Sequence, residues 1–443
     1  MNQLLIRPQK TPLRGRIHVP GDKSISHRAV MLGALAEGVS RIRNWLPAGD
    51  TIATLQGFQA LGVPITIEER SPTAWDLTIE GRGLFGLRPS AQPINCRNAG
   101  TFMRLMAGIL AGQRFAATLD GSEQLRRRPM RRIAEPLQQM GANITTTNGR
   151  APLHIQPASL RPTEFRLTVA SAQVKSALLL AALYTPGETR IYQPGPARDH
   201  TERMLQAVGV DVQVAGDWIS LHNPGDLRLK PLDLTVPGDI SSAAFPLVAA
   251  AIVPHSEITI ANVGYNETRT GILDMLAQMG AQFTVSNERL TGGETAVDLT
   301  ITFNELHSAD ISGPVVVRGI DEFPILAVAA TQAAGPTTVR DAAELRVKEV
   351  DRISVLAGEL RKLNISMDEQ PDGFTIHGPV HPYAAAVDSH DDHRLGMALA
   401  VLGLVTRGHS LIHHADCMAD SFPGFVETMQ ALGADMTWVA ADD

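Results

Sequence analysis

Cysteine is nearly absent from this 443-residue chain: Cys96 and Cys417 are the only two. They cannot form a disulfide framework, so a reducing compartment is the natural setting. Aromatic residues are scarce at 5%, which leaves little material for base-stacking platforms. There is no excess of positive charge either. The formal net charge of −7 argues against a general nucleic-acid or membrane-surface binder. The longest apolar run, Ala243 to Val253, is too short to span a bilayer. The opening residues, MNQLLIRPQKTPLRG, lack the charged, apolar, small-residue order of a secretion signal. These absences point to a soluble cytoplasmic protein with neither nucleic acid nor membrane as partner. Any anionic ligand must be held by cations gathered locally, against the overall sign.

What is present is a globular composition, with 44% hydrophobic and 19% charged residues. The length suggests two domains of about 200 residues each. One pattern recurs six times: a short β-like stretch, a polar turn, an Ala/Leu-rich helix, then Gly and an alternating apolar strand. The six turns open at Gly21-Asp-Lys-Ser, Asn98-Ala-Gly-Thr, Ser171-Ala-Gln-Val, Gly238-Asp-Ile-Ser, Ile320-Asp-Glu-Phe and His390-Asp-Asp-His. Each unit adds a second, amphipathic helix that ends on Gly62, Gly141, Gly209, Gly280, Asn364 or Gly433. Gly, and next best Asn, suits the left-handed residue that closes a helix.

The first helices are apolar nearly all round and should be buried, while the second carry one polar face. Three units per half predict two similar α/β domains. Because Gly21 and Gly238 both follow Pro and precede Asp, the crossovers are expected there. One domain would hold residues 21–237, and the other residues 1–20 with 238–443. A repeat alone could equally be a non-catalytic scaffold.

The helix openings argue for chemistry. Helix N-termini favour anions, and capping accounts for Ser, Asp and Asn there but not for cations. The first opening carries Lys23, Ser24, His27 and Arg28, with Lys23–His27 and Ser24–Arg28 each four apart. A solvated surface face explains this segment about as well, and His27 reads as structural. The second opening puts Gly100 where backbone must come close to something, and the third offers Ser171 and Gln173. Arg198 precedes another helix. Arg126 to Arg132 is the densest basic stretch, read as a mobile anion clamp. A nucleic-acid patch is the alternative, but no aromatics interleave with it.

In the C-terminal half, Asp321 and Glu322 precede an apolar helix, where a capping role is the plain reading. Lys348 and Arg352, four apart with Glu349 between, read as two cations on one helix face. His390-Asp-Asp-His-Arg394 resembles a metal motif, yet adjacent helical residues diverge, so no metal is expected and Arg394 is read as an anion ligand.

PGDKSISHRA, NAGTFMR, RRRPM, SAQVKSA, DEFP, RVKEVDR and DDHR, in this order, resemble the 5-enolpyruvylshikimate-3-phosphate synthases over nearly the whole chain. The SAQVKSA and ARDHTE segments are closer to class II than class I. The resemblance implies two domains, each of three βαβαββ units around a pseudo-threefold axis, with the active site in the cleft between them. It implies shikimate 3-phosphate on Lys23, Ser24, Arg28, Ser171, Gln173, Arg198, Asp321 and Lys348. Phosphoenolpyruvate would lie on Lys23, Gly100, Arg128, Gln173, Arg352 and Arg394. Asp321, Glu349 and Lys23 would move protons in an addition–elimination that needs neither metal nor other cofactor. Such an enzyme serves the shikimate pathway of aromatic amino-acid biosynthesis, and a monomer is expected.

Some positions depart from the class I pattern: Asp420 stands where a lysine is usual, and Ala172 replaces a serine. Arg97 takes the place of a common glycine. The nearest rival is the related transferase acting on UDP-N-acetylglucosamine. It carries a reactive Cys in the basic loop, and Ser122 to Arg132 contains none. The remaining alternative is a non-catalytic anion-binding repeat protein.

Overall fold

A computed structural model describes residues 2–440. The chain divides into two compact units. One holds residues 21–236 with the short segment 290–294; the other holds residues up to 20, 237–289 and 295 onward. Each has its own continuous apolar core.

Both units repeat one motif three times, and six four-stranded sheets result. In each sheet a first strand runs parallel to a second across a buried helix, and two antiparallel strands complete the set. In one such sheet Glu164–Arg166 lies parallel to Gly187–Tyr192, with Phe165 opposite Ile191. The helix Ala172–Ala182 connects them, and Trp218–Asn223 and Asp211–Ala215 follow as antiparallel partners.

The six connecting helices are Lys23–Leu35, Gly100–Ala111, Ala172–Ala182, Ile240–Ile252, Phe323–Gln332 and His393–Gly403. All thirteen residues of Ile240–Ile252 are buried, as an apolar circumference requires. The second helices end where expected: Gly62, Gly141, Gly209, Gly280, Asn364 and Gly433 all have positive φ.

Two sheets are opened by strands distant in sequence but within the same unit. Asp233–Thr235 pairs in parallel with Glu37–Trp45, so the third repeat's tail starts the first sheet. Arg14–His18 pairs in parallel with Glu257–Gly264, so the chain's start opens the fourth. The sixth sheet takes an inner strand from the N-terminus: Asn2–Ile6 lies between Ser410–His413 and Met436–Ala440. The segment 290–294 is fixed by a buried pair, His200 Nδ1 to Glu294 Oε1 at 2.7 Å.

Candidate active site

In the unit of residues 21–236, Asp22 caps the first buried helix by accepting from the Ile25 N–H at 2.9 Å. Lys23 opens this helix and lies 3.4 Å from Asp50. The Arg28 guanidinium is buried and held on three sides. It donates through Nε to Thr201 (2.7 Å), through Nη2 to Ser176 (3.0 Å) and through Nη1 to the Ser24 carbonyl (2.9 Å). Burial pushes its pKa down to about 10, opposed by Glu202, Asp22 and Glu294 and assisted by the charge of Arg198. It therefore stays a cation at neutral pH, close enough to Arg198 for each to feel the other.

Lys23 and His27 do stand four apart on this helix, but His27 turns into the core. His27 is fully buried and contacts Thr54 at 2.6 Å through Nδ1. Burial, with the charges of Lys23 and Arg28, keeps its pKa well below the usual imidazole value. The ring is neutral and belongs to the core.

A second group forms around Gly100. A β-carbon there would meet Arg128 Nη1 at 3.2 Å and Arg104 Nη1 at 3.5 Å, so two guanidiniums crowd this backbone. Arg104 is buried and donates to Gln173 Oε1 at 2.5 Å, while Gln173 donates to Thr101 at 3.2 Å. Ser171 caps its helix by accepting from the Val174 N–H at 3.5 Å.

The basic stretch is not a loop. It forms two helical pieces, Glu123–Arg127 and Arg131–Gln139, joined by residues 128–130. Arg126 pairs with Asp120, Arg127 with Glu123 and Arg131 with Glu135, whereas Arg128 turns toward Gly100. Arg97 has φ of 49°, a left-handed conformation costing a non-glycine residue on the order of 1 kcal/mol.

In the other unit Asp321 sits among three cations. Lys348 Nζ is 3.3 Å from it, Arg352 Nη1 3.7 Å and Arg394 Nη2 3.9 Å. Lys348 and Arg352 meet there, but not through helical spacing. The helix runs Arg352–Lys362 with Asp351 as its cap, and Lys348 lies before it, after the 3-10 turn Ala343–Val347. Lys348 and Arg352 therefore do not share the helix face that their spacing of four predicts.

Asp392 is fully buried and does two things. It caps the helix His393–Gly403 by accepting from the Arg394 N–H at 2.9 Å, and it accepts from Arg352 Nε at 2.7 Å. Burial alone would lower the Arg352 pKa; the charges of Asp392, Glu349 and Asp321 outweigh it and hold it above the ordinary value. Burial likewise opposes the charged form of Asp392, but Arg352 and His393 keep its pKa below the usual carboxylate value. Glu349 accepts from Arg352 Nη2 at 2.7 Å. Arg352 Nη1 is buried and has no hydrogen-bond partner among the described residues.

The four residues from His390 to His393 go separate ways. His390 reaches Glu359 at 2.8 Å, Asp392 holds Arg352, His393 is buried, and both His390 and Asp391 have left-handed backbone.

The predicted residues divide between the units: Lys23, Ser24, Arg28, Gly100, Arg128, Ser171, Gln173 and Arg198 belong to one, and Asp321, Lys348, Glu349, Arg352 and Arg394 to the other. Arg104, Glu322 and Asp392 join them without having been picked from the sequence. Arg104 stands four residues after Gly100, on the same helix edge, a signal that was available. Asp392 stands at a helix opening, where capping already accounts for an Asp, and Glu322 follows Asp321 with no local signal of its own.

Comparison with known proteins shows the family and the fold. Residues 8–429 match the family model described as EPSP synthase (3-phosphoshikimate 1-carboxyvinyltransferase). A 3-phosphoshikimate 1-carboxyvinyltransferase of Desulforamulus reducens is 48% identical over 97% of this chain and 99% of its own length. One from Citrifermentans bemidjiense is 46% identical over 98% and 99%. A solved EPSP synthase from Acinetobacter baumannii shares 42% identity and a TM-score of 0.89, covering 99% of this chain and all of that one. The enolpyruvyl transferase NikO from Streptomyces tendae, at 19% identity, has the same fold with a TM-score of 0.80, over 100% of this chain and 99% of that one.

Proposed function

The chain belongs to the EPSP synthase family, and on that premise we propose that it transfers the enolpyruvyl group of phosphoenolpyruvate to the 5-hydroxyl of shikimate 3-phosphate, releasing phosphate. The observation that carries this reading is Asp321, a carboxylate set among Lys348, Arg352 and Arg394. A reaction on two substrates that each bear phosphate and carboxylate needs cations beside a group that can move a proton.

The reading divides the work between the two units. Residues 21–237 supply Lys23, Ser24, Arg28, Arg128, Ser171, Gln173 and Arg198, with the open backbone of Gly100. Residues 1–20 with 238–443 supply Asp321, Lys348, Glu349, Arg352 and Arg394. Shikimate 3-phosphate would use Lys23, Ser24, Arg28, Ser171, Gln173, Arg198, Asp321 and Lys348. Phosphoenolpyruvate would use Lys23, Gly100, Arg128, Gln173, Arg352 and Arg394, where the buried Arg352 Nη1 offers a donor.

In the addition step Asp321 takes the proton of the 5-hydroxyl as that oxygen bonds to C2 of phosphoenolpyruvate. Glu349, with Lys23, delivers a proton to the methylene carbon. In the elimination step the new methyl returns a proton and the C–O bond to phosphate breaks. The enzyme would act in the cytoplasm as a monomer.

The transferase acting on UDP-N-acetylglucosamine fits less well. Burial pushes the Cys96 thiol far up, and it pushes Cys417 up to about 12, so both sulfurs stay protonated and poorly nucleophilic. Phosphate release from phosphoenolpyruvate with each acceptor tests the reading. Wild type should release phosphate with shikimate 3-phosphate, and Asp321→Ala should lose at least about a hundredfold in kcat. Release with the UDP-sugar alone, or near-normal turnover by Asp321→Ala, would overturn it.

A further inference from the structure

In the unit that holds Asp321, three helix openings are joined by a chain of buried polar groups. Arg269 Nη2 donates to Asp239 Oδ1 at 2.9 Å and to Ser241 Oγ at 2.8 Å. The Ser241 hydroxyl donates in turn to Glu322 Oε1. That same oxygen lies 3.6 Å from Arg394 Nη1. Asp239 and Ser241 belong to the fourth opening, Glu322 to the fifth and Arg394 to the sixth.

Glu322 is 1% exposed, and its other oxygen, Oε2, has no hydrogen-bond partner among the described residues. A buried carboxylate oxygen left without a donor carries its full desolvation penalty, so packing alone is a poor reason to keep it. Capping does not account for it either, because the Glu322 side chain makes no cap hydrogen bond to its helix.

Arg394 stands between two successive carboxylates. Glu322 lies at its Nη1 side, 3.6 Å away, and Asp321 at its Nη2 side, 3.9 Å away. An arginine offered one carboxylate closes on it in a two-pronged grip. Here the second carboxylate holds the guanidinium back. Ser241, itself fixed by Arg269, sets where that second carboxylate stands.

We infer that Glu322 is a positioning residue: seated on Ser241, it holds Arg394 by one edge, prevents it from closing on Asp321, and so presents it to the carboxylate or phosphate of phosphoenolpyruvate. This rests on the reading of Arg394 as a phosphoenolpyruvate ligand.

Glu322→Gln tests it, since the amide keeps the shape and can still accept from Ser241 but carries no charge. The expected result is a KM for phosphoenolpyruvate raised on the order of tenfold, while kcat and the KM for shikimate 3-phosphate change by less than about threefold. Glu322→Asp keeps the charge and should fall between wild type and Glu322→Gln. In a crystal structure of Glu322→Gln, Arg394 should have swung onto Asp321. An unmoved Arg394, or equal losses for both substrates with a matching fall in Tm, would overturn the inference in favour of a purely structural ion pair.

If Glu322→Gln does not fold, Ser241→Ala should raise the same KM in the same direction, and no change there would be equally decisive against it. Should wild type release no phosphate from the two substrates, the proposed activity fails by itself. The position of Arg394 in Glu322→Gln then still decides the inference.

Discussion

At Gly100 one methyl group matters. Its Cβ would sit 3.2 Å from Arg128 Nη1, so that guanidinium must give by a few tenths of an ångström, whereas Arg104 Nη1 at 3.5 Å would be in ordinary contact. Gly100→Ala should therefore raise the KM for phosphoenolpyruvate several-fold, roughly tenfold at most, and leave that for shikimate 3-phosphate nearly unchanged. Steady-state kinetics with each substrate varied in turn checks this. Asp298 shows a different residue-scale effect, on stability. Burial would raise its pKa, but donation from Asn287, the Asn262 N–H, Arg16 and Arg289 outweighs that and holds it far below the usual carboxylate range. A carboxyl with a depressed folded pKa contributes stability that is fully present above its unfolded value, about 4, and is lost as pH falls below it. Melting temperature followed from pH 7 to pH 3 should fall in the acid range for wild type. Asp298→Asn should start lower at pH 7 and fall less steeply.

Between elements, helices Gly100–Ala111 and Ala172–Ala182 approach closely. A β-carbon on Gly108 would run into the Ala177 carbonyl, so the two helices pack backbone to backbone. That approach sets how far Arg104 stands from Gln173. Gly108→Ala should cost about 1–3 kcal/mol in stability through overpacking. It should also weaken phosphoenolpyruvate binding by loosening the Arg104–Gln173 bond, which thermal melts and substrate kinetics would report separately. Much at this scale was legible in the sequence. Gly62 and Asn364 marked helix ends because few other residues accept the left-handed conformation there, and the apolar run of Ile240–Ile252 could only be a buried helix. Lys348 and Arg352 misled because spacing by four has meaning only inside a helix, and that helix starts at Arg352. The double use of Asp392, capping one helix and gripping Arg352 from another, leaves no local trace at all.

For the whole molecule, the charge distribution runs against the total. A chain of net charge −7 puts Arg28, Arg104, Arg128 and Arg198 in one unit. In the other, Asp321, Glu322, Glu349 and Asp392 already stand beside Lys348, Arg352 and Arg394, so those cations are held in place by fixed anions rather than simply accumulated. The six repeats were visible from composition and period. Which strand joins which sheet was not, since Asp233–Thr235 and Glu37–Trp45 are far apart in sequence and nothing local encodes their pairing. The sixth sheet is the extreme case. Its inner strand, Asn2–Ile6, is synthesised long before its neighbours, Ser410–His413 and Met436–Ala440. At about 5–20 residues per second that strand waits roughly twenty seconds to more than a minute for its partners. During translation it is an apolar segment with both edges open, while most of the unit built from residues 21–236 can already fold around its own core. Synthesis therefore completes one half of this enzyme well before the other can close, and a nascent-chain chaperone would find its client in the strand Asn2–Ile6.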